Sequence, residues 1–201
     1  MSGGAPTYSF PTPSIPVVAG GSQCYGGNGS CNGGSSISTS PLGDVTIKGS
    51  VTLVGGTAGN PKVYNMNSLT FNGGGSLSVS GPVIINLAGN NVTTVLDATG
   101  NSFSNSTYVP GNLVINYGGT DQMYLGGGSA AYMIIDAPKA PITMRGNSNF
   151  YGQILCNTID DSGGTSFYWD MGATAITDIT TTTHTSESAN FKNISTRELT
   201  Y

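Results

Sequence analysis

Ten carboxylates are the largest set of side chains in this chain that could carry out acid–base chemistry. They are Asp44, Asp97, Asp121, Asp136, Asp160, Asp161, Asp170, Asp178, Glu187 and Glu198. Glycosidic hydrolysis needs two carboxyls roughly 5–9.5 Å apart. We expect Asp136 and the pair Asp160 and Asp161 to approach one another, with Lys139 or Arg145 as a nearby cation. Acids dispersed over loops are more often solvated corners or Ca²⁺ ligands. The sequence therefore predicts no catalytic residue, and a polysaccharide-active enzyme is kept only as an alternative.

Other catalytic and cofactor signatures are not found. The sequence contains no Gly-X-Ser-X-Gly, no phosphate-binding glycine loop and no His-Glu-X-X-His motif. The single histidine, His184, lies in a Thr-rich stretch with no nucleophile partner nearby in sequence. We predict no cofactor, no metal site and no enzymatic activity.

Two of the three cysteines, Cys24 and Cys31, lie seven positions apart in a Gly-rich segment that can close easily. We predict a disulfide between them, worth about 2.5 kcal/mol by the chain-entropy formula; two idle thiols are the alternative. A disulfide implies a periplasmic, cell-surface or extracellular protein. Cys156 is in phase with Phe150, Gly152 and Ile154 and is expected to be a small buried hydrophobe.

The chain has 201 residues and is nearly uncharged, since only 8% of its residues are charged and its net charge is −4. Its six basic residues are scattered, which argues against a nucleic-acid partner. No apolar run approaches the roughly 20 residues that cross a bilayer. The opening Met-Ser-Gly-Gly is typical of an engineered start, so any membrane anchor or targeting segment is expected upstream of this sequence.

A repeated pentad of the form apolar–Thr–apolar–X–Gly indicates the secondary-structure elements that must position these residues. It occurs at Val45–Gly49, Leu69–Gly73 and Ile142–Gly146. The second copy begins 24 residues after the first, and the third begins 73 residues after the second, close to three more steps. Alternation with period two indicates strands, and a fixed period of this size indicates a solenoid.

The sequence therefore predicts an all-β fold, a single parallel β-helix of about five coils. A Pro/Gly-rich extended cap with the Cys loop is expected at 1–44, the solenoid at 45–171, and an irregular Thr-rich tail packed on it at 172–201. Pro138 and Pro141 are expected at a coil corner, and Gly152 at a close backbone approach or bulge. An antiparallel β-sandwich also has short strands and frequent turns, and is the competing architecture.

The second half of the chain resembles a known bacterial pattern. Its residues are Ile135-Asp-Ala-Pro-Lys-Ala, Ile142-Thr-Met-Arg-Gly-Asn, Asn149-Phe-Tyr-Gly-Gln-Ile-Leu and Ser166-Phe-Tyr-Trp-Asp170. They are similar to the C-terminal β-helix domain of PilX-like, type IV pilus-associated cell-envelope proteins. The resemblance implies a structural role at the envelope and pilus or envelope proteins as partners. Trp169 is expected to close the last coil.

These observations predict a non-enzymatic, extracytoplasmic structural or adhesive module that presents polar β-helix faces to a protein or glycan. Its ligand-binding residues are unknown from sequence. Exposed tyrosines would favour carbohydrate, and the candidates are Tyr64, Tyr108, Tyr117, Tyr124, Tyr132 and Tyr151. Open solenoid ends also allow self-stacking.

An ice-binding β-solenoid is the second alternative. Thr46, Thr70 and Thr143 are expected to point outward at equivalent positions, and ranks of outward Thr resemble the faces of ice-binding proteins. Those faces usually show two outward Thr per strand, whereas one is expected here.

Overall fold

The computed structural model describes residues 10–18, 20–27, 31, 33–100, 102–126, 131–147 and 149–169. Within them the chain forms fifteen strands and a 3₁₀ turn at Pro110–Asn112, with no α-helix. The strands are β1 Gln23–Tyr25, β2 Ser36–Ile37, β3 Asp44–Ile47, β4 Ser50–Leu53, β5 Lys62–Met66, β6 Ser68–Phe71, β7 Ser76–Val79, β8 Val83–Leu87, β9 Thr94–Asp97, β10 Ser102–Asn105, β11 Leu113–Tyr117, β12 Gln122–Gly126, β13 Ala131–Arg145, β14 Asn149–Asp161 and β15 Ser166–Trp169. The predicted all-β class is confirmed.

Every ladder between these strands is parallel. Val45 pairs with Leu69 and Thr46 with Thr70, so the first two pentads lie on adjacent strands in register. Parallel partners need a long connection, whereas antiparallel strands can be joined by a two-residue hairpin. The β-sandwich alternative is therefore wrong.

The strands form two sheets. The larger has eleven strands, and its main path runs β1-β3-β6-β9-β12-β13-β11-β8-β5, with β14 and β15 continuing from β13. The smaller has four, in the order β10-β7-β4-β2. Up to β11, strands that neighbour each other in a sheet are not consecutive in sequence, as in β3 and β6 or β4 and β7. From β12 to β15, each strand pairs directly with the next one in the sequence.

The larger sheet curls at β13, because the two halves of this long strand pair with different neighbours. The C-terminal half of β13 pairs with β12, as in Met123 with Ile142, and its N-terminal half pairs with β11, as in Ile115 with Ile135. The register between β13 and β14 shifts between Ala137 and Pro141. Proline supplies no N–H to a ladder, so this Pro-containing segment suits the bend.

Alternation along the strands builds the core. In β3, β4, β7 and β8 buried and partly exposed residues alternate, as the pleat requires. The buried side chains form one continuous cluster that extends from Ile37 to Phe150. Burying each large apolar side chain stabilises the fold by roughly 1.5–3 kcal/mol.

Pairing begins before Val45, because β1 already pairs with β3 and β2 with β4. Ahead of β1 the chain lies along the corner of the stack. A Cβ atom on Gly118 would lie 2.2 Å from the carbonyl oxygen of Pro13, and one on Gly43 would lie 2.3 Å from that of Gly21. The predicted tail at 172–201 lies outside the described residues.

Candidate binding surfaces

The smaller sheet presents a row of hydroxyls that we call the hydroxyl face, formed by Ser50, Thr52, Ser76, Ser78 and Ser104. In β4 and β7 these residues alternate with buried Val51, Leu53, Leu77 and Val79, and Ser104 follows buried Phe103, so they point away from the core. β4, β7 and β10 contain no charged residue. The face is neutral, and every group on it can both donate and accept a hydrogen bond.

The hydroxyls are arranged in columns across the strands. Ser50 pairs with Ser76, and Thr52 with Ser78, which in turn pairs with Ser104. The Ser76 hydroxyl donates to Ser50 Oγ at 3.1 Å, and the Thr52 and Ser78 hydroxyls are also 3.1 Å apart. Strand geometry sets a grid of about 4.8 Å across the strands and about 6.7 Å along them. These contacts hold the hydroxyls in place before any ligand arrives.

Sequence reasoning missed this face, although its signal is in the chain. The tripeptide Ser–apolar–Ser/Thr begins at Ser50, Ser76 and Ser102, at steps of 26 residues. The predicted rank of Thr46, Thr70 and Thr143 lies on the larger sheet. Thr46 and Thr70 are adjacent there, as predicted, but Asp97 and Tyr124 stand between Thr70 and Thr143 in the ladder.

For two of the six candidate tyrosines the prediction of an exposed, carbohydrate-binding ring is wrong, because Tyr64 and Tyr117 are fully buried. The Tyr64 hydroxyl donates to the carbonyl oxygens of Ile37 and Val54, both at 2.8 Å. The Tyr117 hydroxyl donates to Asp121 Oδ2. Burial, with Asp121 as the second cause, raises the pKa of Tyr117 to about 12. Both tyrosines are structural.

Tyr132, Tyr151 and Tyr168 form what we call the tyrosine stack. They occupy matching positions on β13, β14 and β15. The ring centroids of Tyr132 and Tyr151 are 4.6 Å apart with an interplanar angle of 8°, and those of Tyr151 and Tyr168 are 4.6 Å apart at 10°. Tyr108, 71% exposed, packs edge-on against Tyr132. Tyr124 lies apart, beneath the Arg145 guanidinium.

An asparagine ladder, formed by Asn65, Asn86 and Asn116, occupies another outward column. The Asn86 amide donates to Asn65 Oδ1 at 2.9 Å, and the Asn116 amide to Asn86 Oδ1 at 3.0 Å. The next residue of the column is Asp136. Its Oδ1 is buried without a hydrogen-bond partner among the described residues. Burial raises the pKa of this carboxyl.

The acids expected to meet do not come together. Asp136 pairs with Leu155, whereas Asp160 and Asp161 pair with Thr143 and Met144 on another side of the sheet. The Asp161 carboxylate accepts backbone hydrogen bonds from Thr165 and Gly163. These bonds, that of Thr165 foremost, lower the pKa of Asp161. In the part of the chain that the structure describes, no three His, Cys, Asp or Glu side chains converge on a metal position.

The predicted disulfide is confirmed: Cys24 and Cys31 are bonded, with Cα atoms 4.8 Å apart. Cys156 is a free thiol, partly buried and packed against the core, and burial raises its pKa. Among the described residues no helix is long and apolar enough to span a membrane.

The described chain is thus a disulfide-bonded stack of parallel strands, one sheet of which carries an uncharged row of outward hydroxyls. A family model described as "Putative Ice-binding-like adhesive domain" matches residues 16–167, and the chain belongs to this family. No curated protein and no solved structure matches the chain. Adhesive family and disulfide together indicate an extracellular or envelope location.

Proposed function

We propose that this domain is a non-enzymatic adhesive module that attaches through its hydroxyl face to an extended, hydroxyl-rich surface such as an insoluble glycan. One observation carries the proposal: on the smaller sheet, whose strands contain no charged residue, β4 and β7 each present two outward hydroxyls in register. A repetitive array suits a repetitive ligand, because each additional unit adds the same contacts.

The energetics favour neutral hydroxyls for this task. A charged side chain placed against a dry polymer surface would lose hydration without a partner of opposite charge. Hydroxyls held by Ser76–Ser50 and Thr52–Ser78 contacts lose little further freedom on binding. Each bond exchanges water for ligand and is worth about 1 kcal/mol, so affinity depends on many contacts made at once.

The fold proposed for this role is a single parallel β-helix of about five coils, supported by the parallel register of both sheets. Such a body presents a face rigidly. Display by type IV pilus machinery, with pilus or envelope proteins as partners, is supported by the sequence resemblance within residues 113–170.

Ice binding is the second candidate function, and the hydroxyl face favours it specifically. Two outward hydroxyls per strand, the feature expected of ice binders, occur at Ser50 and Thr52 and again at Ser76 and Ser78. The family description points the same way. Ice and a crystalline glycan both offer a regular lattice of oxygen atoms.

Substituting Ser78→Lys at the centre of the hydroxyl face tests whether this face binds. Its matched control is Thr70→Lys, a hydroxyl-to-lysine change at an outward position of the larger sheet. Co-sedimentation with cellulose and chitin particles measures glycan adhesion, and thermal hysteresis with partition into growing ice measures ice binding.

We expect Ser78→Lys to weaken binding at least about tenfold, equivalent to about 1.4 kcal/mol, while Thr70→Lys binds like the parent. Loss of sedimentation supports the glycan role, and loss of ice partition supports the ice role. Equal effects of the two substitutions, or binding of the parent to neither class of surface, would overturn the proposal.

A further inference from the structure

The tyrosine stack has a geometry that the hydroxyl face does not explain. Tyr132, Tyr151 and Tyr168 lie on successive strands, so their rings repeat with the spacing of the backbones. Both neighbouring pairs have centroids 4.6 Å apart and nearly parallel planes. Three consecutive strands therefore bring three phenols face to face at the C-terminal end of the described sheet.

This packing argues against a carbohydrate platform. A sugar stacks on the face of an aromatic ring, but Tyr151 has a neighbouring ring on each side, and Tyr132 contacts both Tyr151 and Tyr108. Both faces of the central ring, Tyr151, are therefore occupied by other tyrosines. What remains accessible on that ring is its edge, which carries the hydroxyl and the carbon atoms next to it.

The hydroxyls themselves have no packing role that a phenylalanine could not fill. No described residue makes a hydrogen bond to the hydroxyl of Tyr132, Tyr151 or Tyr168. The rings are partly exposed, Tyr168 to 48%. Desolvation raises the pKa of Tyr151, and the adjacent tyrosines add to the effect. The Tyr151 phenol is therefore neutral at physiological pH, and all three partly exposed rings can be reached from solvent.

We propose that the tyrosine stack is a site of oxidative cross-linking, in which neighbouring strands become joined by dityrosine. The co-reactant is hydrogen peroxide with a haem peroxidase. Each of two phenols loses one electron and one proton, giving two phenoxyl radicals, and one peroxide molecule takes up both electrons and both protons to give two water molecules. The radicals join through the ring carbons ortho to oxygen, and each ortho hydrogen then moves to oxygen and restores the phenol.

The cross-link would fasten β15, the last strand of the described sheet, to the strands before it. In the described part of the chain β15 pairs only with β14, and its Phe167 and Trp169 are 46% and 67% exposed. Linking Tyr151 to Tyr168 would tie β15 covalently to β14, and linking Tyr132 to Tyr151 would tie β14 to β13. This inference is independent of the hydroxyl face.

The test treats the full chain, at a concentration low enough to disfavour encounters between molecules, with horseradish peroxidase and hydrogen peroxide. Dityrosine fluorescence, denaturing gel electrophoresis and peptide mapping follow the product. Tyr151→Phe removes the phenol common to both pairs but keeps the stacked ring, so folding is preserved and checked by circular dichroism. Tyr124→Phe is the control, because Tyr124 contacts Arg145 and no tyrosine of the stack.

We expect a fluorescent monomer whose linked peptides contain Tyr132–Tyr151 or Tyr151–Tyr168. Tyr151→Phe should lose most of this intramolecular product, and Tyr124→Phe should keep it. The oxidised parent should also unfold at a higher temperature than the oxidised Tyr151→Phe variant. An undiminished yield in Tyr151→Phe, or linkage only between molecules, would overturn the inference, whatever the outcome of the adhesion assays.

Discussion

Asp136 is the residue at which a regular polar column meets a carboxylate. In the three asparagines that precede it in the column, each side-chain amide donates one hydrogen bond to the asparagine on the neighbouring strand: Asn116 to Asn86, and Asn86 to Asn65. An asparagine both donates and accepts, so a ladder of them can continue, whereas an ionised aspartate only accepts. Asn116 Oδ1 therefore meets no donor at Asp136 unless that carboxyl is protonated. This mismatch is consistent with the raised pKa of Asp136.

The pH dependence of stability at Asp136 follows from this raised pKa. The folded chain holds the proton on Asp136 more tightly than the unfolded chain does. The protonated carboxyl therefore contributes its full stability to the fold below the ordinary pKa of 3.8, and this contribution is lost as the pH rises through the raised pKa. Asp136→Asn should therefore stabilise the domain at pH 7 by about 1 kcal/mol, the net worth of one hydrogen bond. Urea unfolding at several pH values measures this gain.

The gain from Asp136→Asn should shrink as the pH is lowered and vanish near pH 3.8 and below, where the wild-type carboxyl is itself protonated. Asp160→Asn, on an exposed part of β14, is the control and should leave stability nearly unchanged. A gain for Asp136→Asn that is independent of pH would show that ionisation is not its cause.

At the scale of the strand, Gly152 is a position where β14 lies against the backbone of β13 with no room for a side chain. Its φ is +143°, a conformation that L side chains rarely adopt, and an added Cβ would lie 1.9 Å from the carbonyl oxygen of Met133. We expect Gly152→Ala to lower the free energy of unfolding by about 3 kcal/mol through strain and steric clash, as measured by chemical denaturation.

Gly59 provides the comparison for Gly152. No atom lies within 4 Å of a Cβ built there, and Gly59 is not in the left-handed region. Gly59→Ala should therefore change stability by less than about 0.5 kcal/mol. Equal effects at the two glycines would mean that the close approach to Met133 is relieved by movement of the strands.

Strands with apolar alternation were predictable from sequence, and strands without it were not. Lys62–Met66, Ser68–Phe71 and Val83–Leu87 have buried apolar residues at alternate positions, and each forms a strand with those bounds. β10, Ser-Phe-Ser-Asn, has one large apolar residue and gives almost no periodic signal, although Phe103 is buried. The third strand of the hydroxyl face is therefore not marked by apolar periodicity, and only the 26-residue spacing of its Ser–apolar–Ser tripeptide connects it to β4 and β7.

At the scale of the whole molecule, the repeat is not constant, and this limited what the sequence could predict about the candidate sites. Paired residues are 26 positions apart at Thr52 and Ser78 but 17 apart at Ile142 and Ile159. The spacing between paired residues shortens because the described residues after β10 add no strand to the smaller sheet. A constant step of 24 cannot align Tyr132, Tyr151 and Tyr168, so the tyrosine stack could not be foreseen.

Stability should also vary along the stack, because each strand touches mainly those immediately above and below it. In such an assembly a local change is felt by the nearest neighbours and fades with distance. The disulfide lies at one end, where Cys24 is in β1 and pairs with Thr46 of β3. Its removal is thus a way to measure how far cooperativity extends.

Replacing both Cys24 and Cys31 with serine should destabilise the first strands by about 2.5 kcal/mol, the chain-entropy value for a loop this short. Amide hydrogen exchange should become faster in Gln23–Tyr25 and Asp44–Ile47, which pair with each other, and stay unchanged in Leu113–Tyr117. Cys156→Ala is the control at the other end and should affect exchange only around β13 and β14, since Cys156 pairs with Ala137. Faster exchange throughout the double variant would instead show that the described strands open as one cooperative unit.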